Sequence, residues 1–177
     1  MIDSKKGNIM IKNIKYNYFL FNINDLIILM KNNKKLINSF EEIMVNHQHN
    51  PNYKIDSLIK QDIKIYPKNV NYFFLYKNNE IISCIRLSHT NNAKSVYFDM
   101  IHTNIKYRNQ GFCKITLGKL LNLLKDKFKI YNLKVKENNI PAIKCYENFK
   151  FIFIKKEKDL CPYCNTNIPW NIMKLKI

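Results

Sequence analysis

The sequence lacks an apolar run long enough to cross a bilayer. Its most hydrophobic stretch, Tyr18 to Met30, is interrupted by Asn22, Asn24 and Asp25, whereas a transmembrane helix needs about twenty consecutive apolar residues. The segment from Met1 to Asn17 alternates polar and apolar residues, without the hydrophobic stretch of a signal peptide. These absences favour a soluble, cytoplasmic protein over a membrane or secreted one.

Cysteine is also limited, and its pattern does not indicate a disulfide framework. The chain has five cysteines and no secretory signal, whereas disulfide scaffolds are typical of small secreted domains. Cys161-Pro-Tyr-Cys164 has the spacing of half a zinc knuckle, but no second Cys or His pair lies nearby. We interpret this segment as a turn between two late strands and expect no metal cofactor.

Three further residue types are scarce. Gly occurs only at 7, 111 and 118, Arg only at 86 and 108, and Ala only at 93 and 142. Asn, Ile and Lys together make up close to half of the chain, a bias that an AT-rich genome would produce at permissive positions. Residues of the scarce types therefore indicate positions where chemistry or backbone geometry requires them.

Charge of one sign dominates, because the formal net charge is +17. The lysines are scattered along the chain and do not form one stripe, so we interpret most of them as a solvated surface. Nucleic acid and anionic membranes are therefore not the expected partners. A net positive field does favour a polyanionic cofactor or an acidic substrate.

The length of 177 residues fits one domain. The pattern predicts strands over 8–21, 70–76, 81–87, 95–103, 131–136, 151–155 and 169–177, and helices over about 25–30, 56–60, 112–127 and 140–148, with another beginning at Ser39. Asn24 or Asp25 would cap the first helix, and the polar segment from Asn46 to Asn52 reads as a loop. This order predicts an α+β domain with a mixed sheet.

A first motif lies between a predicted strand and a predicted helix. Arg108-Asn109-Gln110-Gly111-Phe112-Cys113 follows the strand that ends at Thr103. The first N–H groups of a helix have no partner inside it, and with the helix dipole they form an anion site. Gly111 would let the backbone approach a phosphate where a Cβ would intrude. Alone, the motif is equally compatible with an ordinary helix start.

A second motif begins about thirty residues downstream. It runs from Leu133 to Phe151 and predicts a strand followed by a short helix. Asn139 is suited to cap that helix and Pro141 to occupy its first turn. Ala142 and Tyr146 are four residues apart, so they share one helix face.

Together the two motifs resemble the acetyl-coenzyme A-binding motifs of the GNAT (Gcn5-related N-acetyltransferase) family. That family has Arg/Gln-x-x-Gly-x-Gly/Ala after its fourth strand, then Asn-x-x-Ala-x-x-x-Tyr and a closing Gly-Phe. Cys113 stands here in place of Gly or Ala, and Lys150 in place of the Gly before Phe151. The resemblance implies a GNAT-like, mostly antiparallel sheet flanked by helices, in a single domain. Residues 1–69 would then lie on the acceptor side, and 70–177 would form the acetyl-CoA-binding core.

The resemblance also implies roles for individual residues. Tyr146 would be the acid for the departing thiolate, with a core tyrosine as the alternative. Main-chain groups near Ile101 would bind the oxyanion and the pantetheine arm. The residues that the resemblance assigns to the cofactor are Ile101, His102, Thr103, Arg108, Asn109, Gln110, Gly111, Phe112, Cys113, Lys114 and Asn139.

The general base is left open. Asp99 is a candidate acting through a water, or equally a structural hydrogen-bond acceptor. By period-two alternation it would share a face with Ile101 and Thr103, with His102 opposite. His89 would sit at a strand end, and His47 and His49 would lie in the N-terminal loop; these are weaker candidates.

We therefore expect transfer of an acetyl group from acetyl-CoA to a primary amine, and a small-molecule amine is the preferred acceptor. One alternative is that the acceptor is a protein N-terminus or a lysine. Another is that the chain is a CoA-binding module without catalytic activity. A homodimer is left open.

Overall fold

The computed structural model describes residues 4–48, 54, 56–57, 59–60, 70–160 and 167–177. Its strands are β1 (Lys5–Ile11), β2 (Ile14–Asn22), β3 (Val70–Lys77), β4 (Glu80–His89), β5 (Ser95–Thr103), β6 (Ile130–Lys136), β7 (Ile152–Leu160) and β8 (Asn167–Lys176). Its helices are α1 (Ile23–Asn32), α2 (Lys34–Gln48), α3 (Phe112–Leu124) and α4 (Ile140–Glu147). The strands form one sheet in the order β1-β2-β3-β4-β5-β6-β8-β7. Among the described strands only β5 and β6 pair in parallel, so the predicted α+β class is confirmed.

The sheet begins with a hairpin in a region, residues 8–21, for which the sequence pattern predicts one strand. Lys12 and Asn13 have φ of 47° and 63°, and β1 pairs antiparallel with β2 on either side of them. Two consecutive residues with positive φ make a two-residue turn whose twist matches that of the flanking strands. The single-strand prediction is wrong because the turn contains no glycine and interrupts the alternation only briefly.

The first two helices are also shifted from their predicted starts. Asn22, not Asn24 or Asp25, caps α1, and its side chain accepts hydrogen bonds from both of those backbone N–H groups. Helix α2 begins at Lys34, and the side chain of Asn33 accepts from the N–H of Leu36. These caps satisfy N–H groups that have no partner within the helix.

Ser39 therefore lies inside α2 and does not start it. Its hydroxyl is buried and accepts the N–H of Ile81 at 2.8 Å. Ser39, which the sequence suggests as the start of a helix, instead connects α2 to β4 through this hydrogen bond. The same helix extends to Gln48, so the predicted loop from Asn46 is helical at its beginning.

The remaining predicted elements are present, with changes at their ends. The largest change is in β7, which is predicted to end at Lys155 but continues to Leu160. Asn78 and Asn79 form the β3–β4 turn with φ of 51° and 62°. The described residues among 56–60 are helical, as predicted. Cys161 and Cys164 lie outside the described residues. No described helix has the length and apolar character needed to span a membrane.

Each face of the sheet carries its own hydrophobic core. On the α3/α4 face, Leu117 and Leu120 of α3 and Tyr146 of α4 join a core that includes Phe98 of β5. On the α1/α2 face, Leu26, Phe40 and Met44 cluster with Tyr72 and Phe74 of β3. The sheet is therefore a central layer, and the two predicted motifs lie on the α3/α4 side of it.

Candidate active site

The two parallel strands diverge at their carboxyl ends. Pairing of β5 with β6 ends at Phe98 and Leu133, although β5 continues to Thr103 and β6 to Lys136. Beyond that point β5 keeps its partner β4 and β6 keeps its partner β8. Among the described residues, no ladder pair joins β5 to β6 beyond Phe98 and Leu133. Where two strands diverge in this way, main-chain groups on their facing edges can pair with an extended ligand.

The loop from Arg108 to Cys113 follows the diverging end of β5. Asn109 and Gly111 have φ of 60° and 81°, so two left-handed residues turn the chain into α3. Arg108 Nε donates to the carbonyl of Thr103 at 3.3 Å, which ties the loop to the end of β5. The amide of Gln110 donates to the carbonyl of Lys106 at 3.1 Å.

The start of α3 has the properties of an anion site. Its N-cap residue, Gly111, supplies no side-chain hydrogen bond to the first turn, and that turn contains no acidic residue. A Cβ built on Gly111 would have no other atom within 4 Å. The space at the Cβ position of Gly111 is therefore open, and the start of a helix without a side-chain cap is a suitable place for a phosphate. Lys114 is exposed in the same turn.

Aromatic and charged contacts hold the loop in place. Phe112 is buried and packs edge-on against Tyr16 and Tyr107, with ring centroids 5.4 Å and 5.8 Å away. The Tyr107 hydroxyl donates to Glu80 at 2.7 Å, and Lys106 pairs with the same carboxylate at 3.2 Å. Burial, followed by the Glu80 hydrogen bond, raises the pKa of Tyr107 to about 12. The loop is thus fixed to the start of β4.

The second motif forms the short helix α4. The side chain of Asn139 accepts from the N–H of Ala142 at 3.3 Å, and Pro141 occupies the first turn, so both helix-start predictions are confirmed. Tyr146 is only 4% exposed, and its ring lies 6.2 Å from that of Phe151. Burial raises the pKa of Tyr146 well above 10.0, and the neighbouring Cys113 and Cys145 raise it further.

A pair of thiols next to Tyr146 was not identified from the sequence. Cys113 Sγ of α3 lies 2.9 Å from Cys145 Sγ of α4. Both residues are half-buried. In the sequence, the one indication of this contact is that each motif contains a cysteine. Spacing along the chain does not show which faces of the two helices meet.

A bulge in β5 changes the position of Asp99. Met100 has a φ of 48°, and the β4–β5 register shifts so that Arg86 faces Asp99 while Cys84 faces His102. Cys84 and Arg86 are two residues apart on one strand and share a face, so Asp99 and His102 share it as well.

The predicted alternation is therefore wrong. Asp99 does not share a face with Ile101 and Thr103, and His102 is not opposite to it. Ile101 packs against the core on the α3/α4 face, whereas Met100 packs against the core on the α1/α2 face. Because the bulge adds one residue to β5, the side chains after it point to the opposite face from the one that strict alternation predicts.

Asp99 is engaged in an ion pair. Its Oδ2 accepts from Arg86 Nη1 at 2.6 Å and from the Ser88 hydroxyl at 3.1 Å. The side chains of Arg86 and Asp99 are 12% and 25% exposed. These contacts favour the structural alternative for this oxygen, while the role as a base stays a prediction.

The other histidines lie at separate places. His89 ends β4 and its Nε2 lies 3.1 Å from Asn71 Oδ1. Burial lowers the pKa of His89, and Lys127 lowers it further. His47 lies near the end of α2 and not in a loop, and His49 is outside the described residues.

Comparison with known proteins identifies a family. The model of the acetyltransferase (GNAT) family matches residues 34–151. No curated protein sequence matches the chain significantly.

Solved structures share the fold at low sequence identity. A probable acetyltransferase from Staphylococcus epidermidis is 16% identical, with a TM-score of 0.68 over 91% of this chain and 98% of that one. The ribosomal-protein-S18-alanine N-acetyltransferase from Escherichia coli is 15% identical, with a TM-score of 0.62 over 99% and 94% of the two chains. A spermidine N-acetyltransferase chimera from Vibrio cholerae is 16% identical, with a TM-score of 0.65 over 79% and 88%.

Proposed function

The chain belongs to the GNAT family of acetyltransferases and is an acyltransferase; from this premise we propose that it moves an acetyl group from acetyl-CoA to a primary amine of a small molecule. The amine attacks the thioester directly in a ternary complex. The observation that carries the proposal is the start of α3, where the helix terminus has no side-chain cap and the Cβ position of Gly111 is open.

The loop from Arg108 to Lys114 holds the pyrophosphate of acetyl-CoA in this proposal. First-turn N–H groups and the helix dipole favour the negative charge. Asn109 and Gly111 turn the backbone toward the phosphates through their left-handed conformations. The net charge of +17 raises the local concentration of a polyanionic donor.

The opening between β5 and β6 receives the pantetheine arm and the acetyl group. Main-chain groups of Ile101, His102 and Thr103 lie on the diverging part of β5, where they pair with the amides of the arm. The N–H of Ile101 donates to the oxyanion as the tetrahedral intermediate forms. Asn139, at the start of α4, lies on the other side of the same cofactor.

Tyr146 is the acid that protonates the departing thiolate. Its raised pKa keeps the phenol protonated at neutral pH, so the proton is available for donation. Burial is the main cause of this shift, and the neighbouring Cys113 and Cys145 add to it.

Asp99 is the candidate for deprotonation of the ammonium group of the acceptor through a water. The bulge at Met100 directs it to the α1/α2 face, the side on which the helices of the N-terminal third pack. Arg86 pairs with one oxygen of this carboxylate, Oδ2, at 2.6 Å.

A binding assay and a turnover assay test the proposal. Acetyl-CoA at about one hundred times its Kd would stabilise the folded protein by about 2.7 kcal/mol, which raises Tm by about 5–10 °C for a chain of this size. Release of free coenzyme A thiol is then measured with a panel of aminosugars, polyamines, amino acids and peptides.

The outcomes separate the candidate functions. Thiol release with a small amine, abolished in Gly111→Glu, is the expected result. Turnover only on peptides would show that the acceptor is a protein N-terminus or a lysine. Neither stabilisation nor thiol release with any amine would contradict the enzymatic proposal itself.

A further inference from the structure

Two thiols meet where the two cofactor motifs touch. Cys113 is the second residue of α3 and Cys145 the sixth of α4, and their sulfur atoms are 2.9 Å apart. A disulfide bond is about 2.04 Å long, so the two atoms need to approach by roughly 0.9 Å to be joined. Both side chains are half-buried, so a small oxidant can reach them.

The environment of the pair favours oxidation at one of its sulfur atoms. In the 2.9 Å contact either sulfur can be the donor. The hydrogen bond with Cys113 lowers the pKa of Cys145, Lys114 lowers it further, and burial opposes them. The thiolate is the form that reacts with oxidants. By contrast, Cys84 is 2% exposed in the other core, and burial raises its pKa to about 12. Among the described cysteines, reactivity is therefore concentrated at the pair.

We propose that Cys113 and Cys145 form a site of reversible oxidation, at which a peroxide converts the two thiols into a disulfide that weakens acetyl-CoA binding. The Cys145 thiolate attacks one peroxide oxygen, so the O–O bond breaks and a sulfenic acid forms while water leaves. The Cys113 sulfur then attacks the sulfenic sulfur and displaces a second water. The two thiols lose two electrons and two protons, and hydrogen peroxide is reduced to two waters.

The disulfide acts on the cofactor loop through the first turn of α3. Cys113 lies two residues after Gly111, within the turn whose N–H groups face the proposed pyrophosphate. Joining the sulfur atoms draws this turn toward α4 and fixes the side chain of Cys113. A misplacement of about 1 Å can cost an enzyme about a hundredfold in rate, and we expect a smaller but measurable loss of affinity when this turn moves. The effect on acetyl-CoA rests on the proposed function, whereas formation of the disulfide does not.

The test uses full-length protein carrying Cys161→Ser and Cys164→Ser, which removes the two thiols outside the described residues. Limited hydrogen peroxide is added, and peptide mapping without reductant identifies linked peptides. Isothermal titration measures the Kd for acetyl-CoA before oxidation, after oxidation and after dithiothreitol. The matched control adds Cys145→Ser in the same background.

The expected result is a Cys113–Cys145 link and a rise in the Kd for acetyl-CoA of at least about tenfold. Dithiothreitol should remove the link and restore the original Kd. The Cys145→Ser control binds acetyl-CoA as the reduced parent does and does not respond to peroxide. Absence of the link, or a link that leaves Kd unchanged, overturns the inference. Failure of the reduced parent to bind acetyl-CoA would instead contradict the proposed function.

Discussion

Substitutions at Gly111 should have two separate effects: they lower the stability of the fold through backbone strain, and they weaken the binding of acetyl-CoA. Gly111 has φ of 81° and ψ of 4°, a left-handed conformation that costs an L-residue roughly 1–2 kcal/mol. Apart from its chain neighbours and the backbone of its own helix, no atom lies within 4 Å of the position that a Cβ would take, so Gly111→Ala adds strain without a clash with another part of the fold. For a chain of this size the expected fall in Tm is about 2–8 °C.

Binding of acetyl-CoA should fall independently of that strain. Asn tolerates the left-handed conformation better than other side chains, so Gly111→Asn should lose less stability than Gly111→Ala. Both variants place atoms in the space assigned to the pyrophosphate, and each should raise Kd by about tenfold or more, which corresponds to about 1.4 kcal/mol. Gly111→Glu adds a negative charge at the same position and should abolish binding.

Denaturant unfolding and isothermal titration measure the two effects separately. Gly118→Ala is the matched control, because Gly118 lies farther along α3 and its added Cβ would meet only the ring of Phe149, at 3.2 Å. This control should bind acetyl-CoA as the wild type does. If the three variants at Gly111 also bind normally, the loop does not hold the pyrophosphate.

Three further substitutions test the other residues. Tyr146→Phe should lower kcat by about a hundredfold with little change in the Kd for acetyl-CoA. Because the pKa of Tyr146 is raised well above 10.0, the phenol stays protonated as the pH rises. The rate of the wild type should therefore show no falling limb below pH 10.0 that is due to this group. Asp99→Asn should remove the acidic limb of the kcat/KM profile if Asp99 is the base, whereas a purely structural role would lower stability and leave the profile unchanged. Lys150 has φ of 67°, so Lys150→Gly should relieve left-handed strain and, after the entropy cost of Gly, stabilise the fold by about 0.5–1 kcal/mol in urea unfolding.

The sequence predicted best where local residues determine the backbone. Asn78 and Asn79 tolerate positive φ and therefore mark the β3–β4 turn without tertiary information. Asn139 and Pro141 mark the start of α4 in the same way. Ser39 shows the limit, because a hydroxyl suited to capping serves in the fold as the buried acceptor for a strand N–H.

Side-chain direction was harder to predict than element type. Strict alternation along β5 placed Asp99 beside Ile101, and one bulge at Met100 reversed the placement. A bulge depends on how two strands pair, and the residues of one strand do not determine that. The contact between Cys113 and Cys145 was missed for the same reason, since it depends on the packing of α3 against α4.

The two arginines show how composition and structure combine. Of the 30 Lys and Arg residues, only Arg86 and Arg108 are arginine, and both act on β5. Arg108 donates to the carbonyl of Thr103 where the strand leads into the loop from Arg108 to Cys113, and Arg86 pairs with Asp99 just before the bulge. A guanidinium offers several donors in a fixed plane, which a lysine ammonium cannot reproduce. In a chain that otherwise uses lysine, the two arginines thus contact opposite ends of the part of β5 that continues beyond its pairing with β6.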